Sequence, residues 1–147
     1  MKFFYAFFVI AISSCCLGER KCGQGSFSGT FRLINATTDQ DLVFGANKIY
    51  NKDSIKFYSL NGNDTVFHQY NAGAFSGNIQ DSFLIVAFND SKREIVYVKL
   101  NSIDIDTLHV IYETISPQCC DPYSSINSYK YNDMIPETAQ GITVLKK

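Results

Sequence analysis

The sequence predicts an all-β fold, an antiparallel β-sandwich with a small β-barrel as the next choice. Three observations predict it. Short apolar or alternating runs, rich in β-branched and aromatic residues, recur from Phe27 to the end of the chain. Turn-forming residues separate these runs, no stretch keeps a helical period, and no Pro occurs between Met1 and Ile115. Aromatic residues reach 14% while charged residues stay at 18%, low for a cytosolic helical protein and ordinary for an exported β-rich one. With 147 residues and 46% hydrophobic side chains, the chain fits one domain and can fill a core.

In chain order, the strands are expected at residues 26–35, 41–44, 54–60, 65–70, 81–88, 94–100, 107–115, 126–131 and 142–145. Leu108, Val110 and Tyr112 fall on one face of their run, and His109, Ile111 and Glu113 on the other. Phe83-Leu84-Ile85-Val86 and Ile95-Val96-Tyr97-Val98 are apolar on both faces, the mark of central strands. Asn61-Gly62 between two runs is a strong hairpin signal, and Asn89-Asp90-Ser91-Lys92 and Asn101-Ser102 punctuate the next two connections. This spacing suggests two antiparallel sheets, Ig-like or transthyretin-like in outline. Residues 73–77 are the best candidate for a mobile loop, with Phe75 either a contact residue or folded back onto the core.

The N-terminus reads as an address. Met1-Lys2 is a minimal positive region, and residues 3–12 form a ten-residue apolar run. As a helix that run would span about 15 Å, half of a hydrocarbon core, so it is too short for a stable span. Ser13-Ser14 close it, as in a cleaved export signal. Ile12-Ser13-Ser14-Cys15 resembles the bacterial lipobox, which implies diacylation (palmitate-type chains) on the Cys15 sulfur, the membrane grip then coming from acyl chains. Cys16 does not fit that role, because Ser13 would then take the aliphatic position. The expected organisation is a signal at 1–14, a lipidated tether at 15–25 and one β domain at 26–147. The alternative is a soluble secreted protein cut near Ser14.

Five cysteines leave an odd thiol in an oxidising compartment. Lipid on Cys15 leaves Cys16, Cys22, Cys119 and Cys120 for two disulfides, with Cys22 expected to pair with Cys119 or Cys120. Zinc is a weak choice for four thiolates without the usual CxxC pairs.

Other chemistry is sparse. The formal charge is −1, and loss of Lys2 with the signal leaves 12 basic against 14 acidic side chains, with no basic run longer than Arg20-Lys21 or Lys146-Lys147. Nucleic acid is therefore not an expected partner. His68 and His109 are the available near-neutral bases, both inside expected strands, and no HExxH, GxSxG or P-loop spacing is present, so no enzyme is expected. Asn101, Asp104 and Asp106 cluster oxygens, but a polar turn explains them better than calcium, so neither metal nor cofactor is expected. Asn35, Asn63 and Asn89 head N-glycan sequons that matter only in a eukaryotic secretory route. Asp53-Ser54-Ile55, Asp64-Thr65-Val66 and Asp106-Thr107-Leu108 resemble bacterial O-glycosylation sites at Ser54, Thr65 and Thr107. The tyrosines at 50, 58, 70, 97, 112, 123, 129 and 131 either fill the core or include an exposed platform for sugar or peptide.

The lipobox, Arg32-Leu33-Ile34-Asn35 leading to Gln40-Asp41-Leu42-Val43-Phe44-Gly45, the run 53–60, Asp104-Ile105-Asp106-Thr107-Leu108 and Cys119-Cys120 together resemble small envelope lipoproteins of Bacteroidota. The resemblance covers nearly the whole chain. It implies an exported protein, held to the outer membrane by its N-terminal lipid, and brings no activity or site residues with it. The expected role is a binding or structural module of the envelope. The alternative is a secreted or surface inhibitor or ligand-binding sandwich acting through its loops, its protein or glycan ligand unnamed by the sequence.

Overall fold

The computed structural model describes residues 22–75, 82–88 and 92–147. Among the described residues, alternation of large apolar with polar side chains builds nine strands: β1 (Ser28–Ile34), β2 (Lys56–Asn61), β3 (Asp64–Ala74), β4 (Ser82–Ala87), β5 (Ile95–Lys99), β6 (Ile105–Ile115), β7 (Tyr123–Tyr131), β8 (Glu137–Ala139) and β9 (Ile142–Lys146). They hydrogen-bond in the order β7-β6-β5-β2-β3-β4-β1-β9-β8, so the fold is all-β. The sheet is continuous and curls into a half-barrel.

Strand β3 makes the curl. Residues 64–68 pair with β2, and residues 69–74 pair with β4. A strand that changes partner midway turns a corner between two packed halves. The inner faces of those halves meet in a core that includes Phe31 and Leu33 from β1, Phe57 from β2, Val86 from β4, Val96 and Val98 from β5, Leu108 and Val110 from β6 and Leu145 from β9. Phe31 stacks on Phe57 and sets its edge against Phe88 and Tyr129, which joins β1 to β2 and β7 across the core.

Residues 22–26, expected within and just after a tether, run along the outer edge of β7. Ile126 N–H donates to Ser26 O at 3.2 Å, Ser26 N–H donates to Ser125 Oγ at 3.3 Å, and Cys22 is disulfide-bonded to Cys120 with Cα atoms 5.7 Å apart. Beyond this contact β1 and β7 part. A groove of 420 Å³ opens there, lined by residues 28–30, 127–129 and the β8–β9 hairpin.

Three expectations need correction. The sheet is mixed, because β1 and β9 pair in parallel where two antiparallel sheets were expected. The strand expected at 41–44 is a bend: Asp41 Oδ1 accepts from Val43 and Phe44 N–H at 2.8 and 2.7 Å, and this local turn takes the place of a ladder. Gly73 and Ala74, expected in a loop, belong to β3, and Phe75 packs on Phe83 at 4.9 Å while staying largely exposed. The predicted hairpin forms, with Gly62-Asn63 at its centre between the paired Asn61 and Asp64. Gly62 has φ +61°, as the first position of a type II′ turn requires.

Candidate functional site

The inward faces of β2, β3, β5 and β6 are spent on the core, so their outward faces are what solvent meets. Residues that alternate with buried Phe57, Val98 and His68 must point outward. Register then places Thr107, Tyr97, Tyr58 and Phe67 directly opposite one another on β6, β5, β2 and β3. Tyr58 and Tyr97 stack with ring centroids 5.2 Å apart, and Phe67 stands 6.1 Å from Tyr58. Phe67 is 58% exposed, and Leu60 and Ile95 are also exposed on the same face. An aromatic row three strands wide is thus on the outside of the molecule.

Two grooves flank this row. One, of 240 Å³, is lined by Lys56, Tyr58, Thr65, Phe67 and Lys99. The other, of 360 Å³, is lined by Leu60, Lys92, Arg93, Glu94, Ile95 and Tyr97. Lys56 and Lys99 lie directly opposite each other across the ladder, a pairing of like charges that costs stability unless something neutralises it. Among the described residues no carboxylate lies within ion-pair distance of either lysine, of Lys92 or of Arg93. Lys56 Nζ instead sits 5.8 Å from the Phe67 ring centre. Arg93 Nε is buried with no hydrogen-bond partner among the described residues. Such a donor is costly to leave unmade. Among the described residues, four cations and one carboxylate therefore line the grooves beside the aromatic row, on a chain whose net charge is −1.

The two histidines lie apart. His68 is buried, its Nε2 2.7 Å from Ser59 Oγ, and desolvation lowers its pKa, favouring neutral imidazole. Ser59 is fully buried, so this serine–histidine pair offers no hydroxyl to an incoming substrate. His109 lies 3.7 Å from Asp133 in a 350 Å³ groove whose other lining residues are Glu94, Val110, Ile111, Tyr112 and Lys130. This cleft joins a histidine to a carboxylate but includes no serine, threonine or cysteine nucleophile.

The oxygen cluster is occupied by the chain itself. Lys147 Nζ donates to Asp104 Oδ1 at 2.7 Å and to both oxygens of Asp106 at 2.7 and 2.8 Å, while Tyr50 and Tyr131 donate to Asp104 and Asp106. An ammonium holds the place a cation would take. Among the described residues no group of three or more His, Cys, Asp or Glu side chains is arranged to hold a metal.

Cys15 and Cys16 lie outside the described residues. Cys22 pairs with Cys120, one of the two alternatives open in the sequence, and Cys119 is disulfide-bonded as well. Ser54 is exposed on the 3-10 turn Lys52–Ser54, Thr65 is exposed beside Phe67, and Thr107 is half-buried beside Tyr97. Asn35 and Asn63 sit in turns, and Asn89 lies outside the described residues. Sequence reading placed Tyr58 and Tyr97 among the tyrosines of a possible platform but missed Phe67, Lys56, Lys99 and Arg93. Outward alternation was the available signal for Phe67 and the lysines. No family model, curated protein or solved structure matches the chain.

Proposed function

We propose that the chain is a lipid-anchored binding module of the bacterial cell envelope, tethered through Cys15 and gripping its partner with the outer face of β2, β3 and β5. The outward row of Tyr97, Tyr58 and Phe67, flanked by cations that no described carboxylate pairs, carries the binding half of this reading. A surface kept only for solubility favours scattered polar groups, and contiguous apolar patches mark contact sites.

Cysteine usage supports the anchoring half. Cys22, Cys119 and Cys120 are all in disulfides, as two disulfides among the four cysteines other than a lipidated Cys15 would require. Intact-mass spectrometry of the native protein tests it. The expected mass is that of a chain starting at an acylated Cys15 with two disulfides, and Cys15→Ala should leave the detergent phase in a partition assay. An unmodified mature chain overturns the anchor.

A second reading, contact through loops, draws on one observation. Ile49, Ile103, Met134 and Ile135 are exposed, Ile103 at 92%, on three connections whose neighbours Tyr50, Asp104 and Tyr131 are tied to one network. Capture of a common ligand lost on Tyr97→Ala and kept on Ile103→Ser supports the sheet face, and the reverse supports the loops.

A further inference from the structure

Taking the sheet face as the binding surface, we infer that its ligand is a linear acidic polysaccharide, lying along β5 with its sugars against Tyr97 and its acid groups on the cations at either end. The inference deepens the binding half of the proposed function and rests on it.

The placement of charge argues for it first. Lys99 and Arg93 bracket β5, six residues apart, which is about 20 Å of extended chain. Lys56 joins Lys99 at one end, and Lys92 joins Arg93 at the other. A single phosphate or headgroup reaches one cluster alone. A ligand that satisfies both is extended and bears acid groups at intervals. Two directly opposed lysines are a cost to the empty protein that such a ligand removes.

The aromatic geometry narrows the class. Tyr58 is covered by Tyr97 on one side and approached by Phe67 on the other. Tyr97 keeps its second face over Thr107, a small neighbour that leaves room above the strand. With Tyr58 flanked on both sides and Lys56 set over the Phe67 ring, the row does not make the run of open stacking platforms that single-stranded nucleic acid uses. It does suit the apolar face of a sugar ring, with the tyrosine hydroxyls as partners for sugar hydroxyls. The grooves are shallow, at 240 and 360 Å³, and neither forms the deep apolar pocket that a buried peptide anchor needs. Glu94, the one carboxylate among the described residues lining the grooves, sits beside Arg93, where it limits how much negative charge that end accepts.

Affinity electrophoresis of the full mature protein tests this, in native gels containing polygalacturonate or neutral dextran. Retardation by polygalacturonate alone is expected, weakening with added salt. Lys56→Glu/Lys99→Glu, Arg93→Gln and Tyr97→Ala should each weaken it by about tenfold or more, as loss of a charged or stacking contact does. The lysine variant changes exposed Lys56 and half-buried Lys99 and leaves the core untouched, so it stays informative if Tyr97→Ala melts early. Equal retardation by dextran that disappears in Tyr97→Ala keeps the binding face and overturns its acidic specificity. No retardation in either gel overturns the inference, as does equal or tighter binding to phosphatidylglycerol vesicles or to polyglutamate through the same lysines.

Discussion

Asp104, Asp106 and Lys147 form a small ionic knot in which two carboxylates share one ammonium at short distances. Hydrogen bonds from Lys147 and then from Tyr50 lower the Asp104 pKa below the usual carboxylate range. Burial works to lower the pKa of Lys147, but its bonds to Asp104 and Asp106 prevail and raise it. The signs fix a pH window. A depressed carboxylate contributes stability that is present above about pH 4 and lost as pH falls through its folded value. A raised lysine contributes stability that is present below about pH 10 and lost as pH rises through its own folded value. Urea midpoints should therefore fall at both extremes, and Asp104→Asn should flatten the acid limb. Lys147→Met leaves two carboxylates facing each other and should cost about 2 kcal/mol, between the values for exposed and buried pairs, since both partners keep some solvent. A lysine variant as stable as the parent at pH 7 would show the knot to be ornamental. His68 gives a second check at this scale. Its lowered pKa means that the unfolded chain takes up its proton first, so stability is lost as pH drops below about 6.5. Its imidazole proton resonances should titrate below that value, and a midpoint at or above it contradicts the burial argument.

Close approach decides how the elements fit. An added Cβ on Gly25 would sit 1.6 Å from the Ser124 carbonyl oxygen, a clash with backbone that no rotamer relieves. Gly25→Ala should therefore lift residues 22–26 off β7, cost roughly 1–3 kcal/mol as overpacking does, and speed hydrogen exchange at the Ile126 amide that Ser26 protects. An unchanged exchange rate there would mean that the segment carries no load. The same scale shows what sequence could reveal. Alternation exposed most strands, because one face of each is buried and the period of two survives in the residues. It misplaced 41–44, where the Asp41 carboxylate satisfies two backbone amides locally and removes the need for a strand. It missed β8, whose three residues are all exposed and are extended only because β9 pairs with them. Phe67 was readable as outward-facing, but its place beside Tyr58 and Tyr97 was not. That row depends on the β5–β2 pairing, which joins strands far apart in sequence and leaves no local trace.

Over the whole molecule, β7 works as an axis with different chemistry at its two ends. Near Tyr123 the chain is clamped by Cys22–Cys120, a closure over 98 residues worth up to about 4–5 kcal/mol in the chain-entropy picture. Near Tyr131 lies the ionic knot, with Ile103 and Met134 exposed on connections beside it. The strand's nine residues separate the ends by about 27 Å. If lipid on Cys15 holds the chain to a bilayer, the disulfide end is the near end, because only six residues separate Cys15 from the clamp at Cys22. The outer face of β2, β3 and β5 then stands beside the bilayer normal, open to a polymer in the envelope, and the Ile103 connection points away from lipid. A nitroxide placed in native-like vesicles by Ile103→Cys should be relaxed by a water-soluble paramagnetic agent and not by oxygen dissolved in the bilayer, whereas one placed by Gly23→Cys should show greater access to oxygen. The label at 23 must be read against thermal melting, since an added Cβ there meets the Tyr123 hydroxyl at 2.7 Å. Lipid contact at 103 instead would invert the molecule, bring the aromatic face down with it, and turn the exposed isoleucines from a contact crown into a membrane foot.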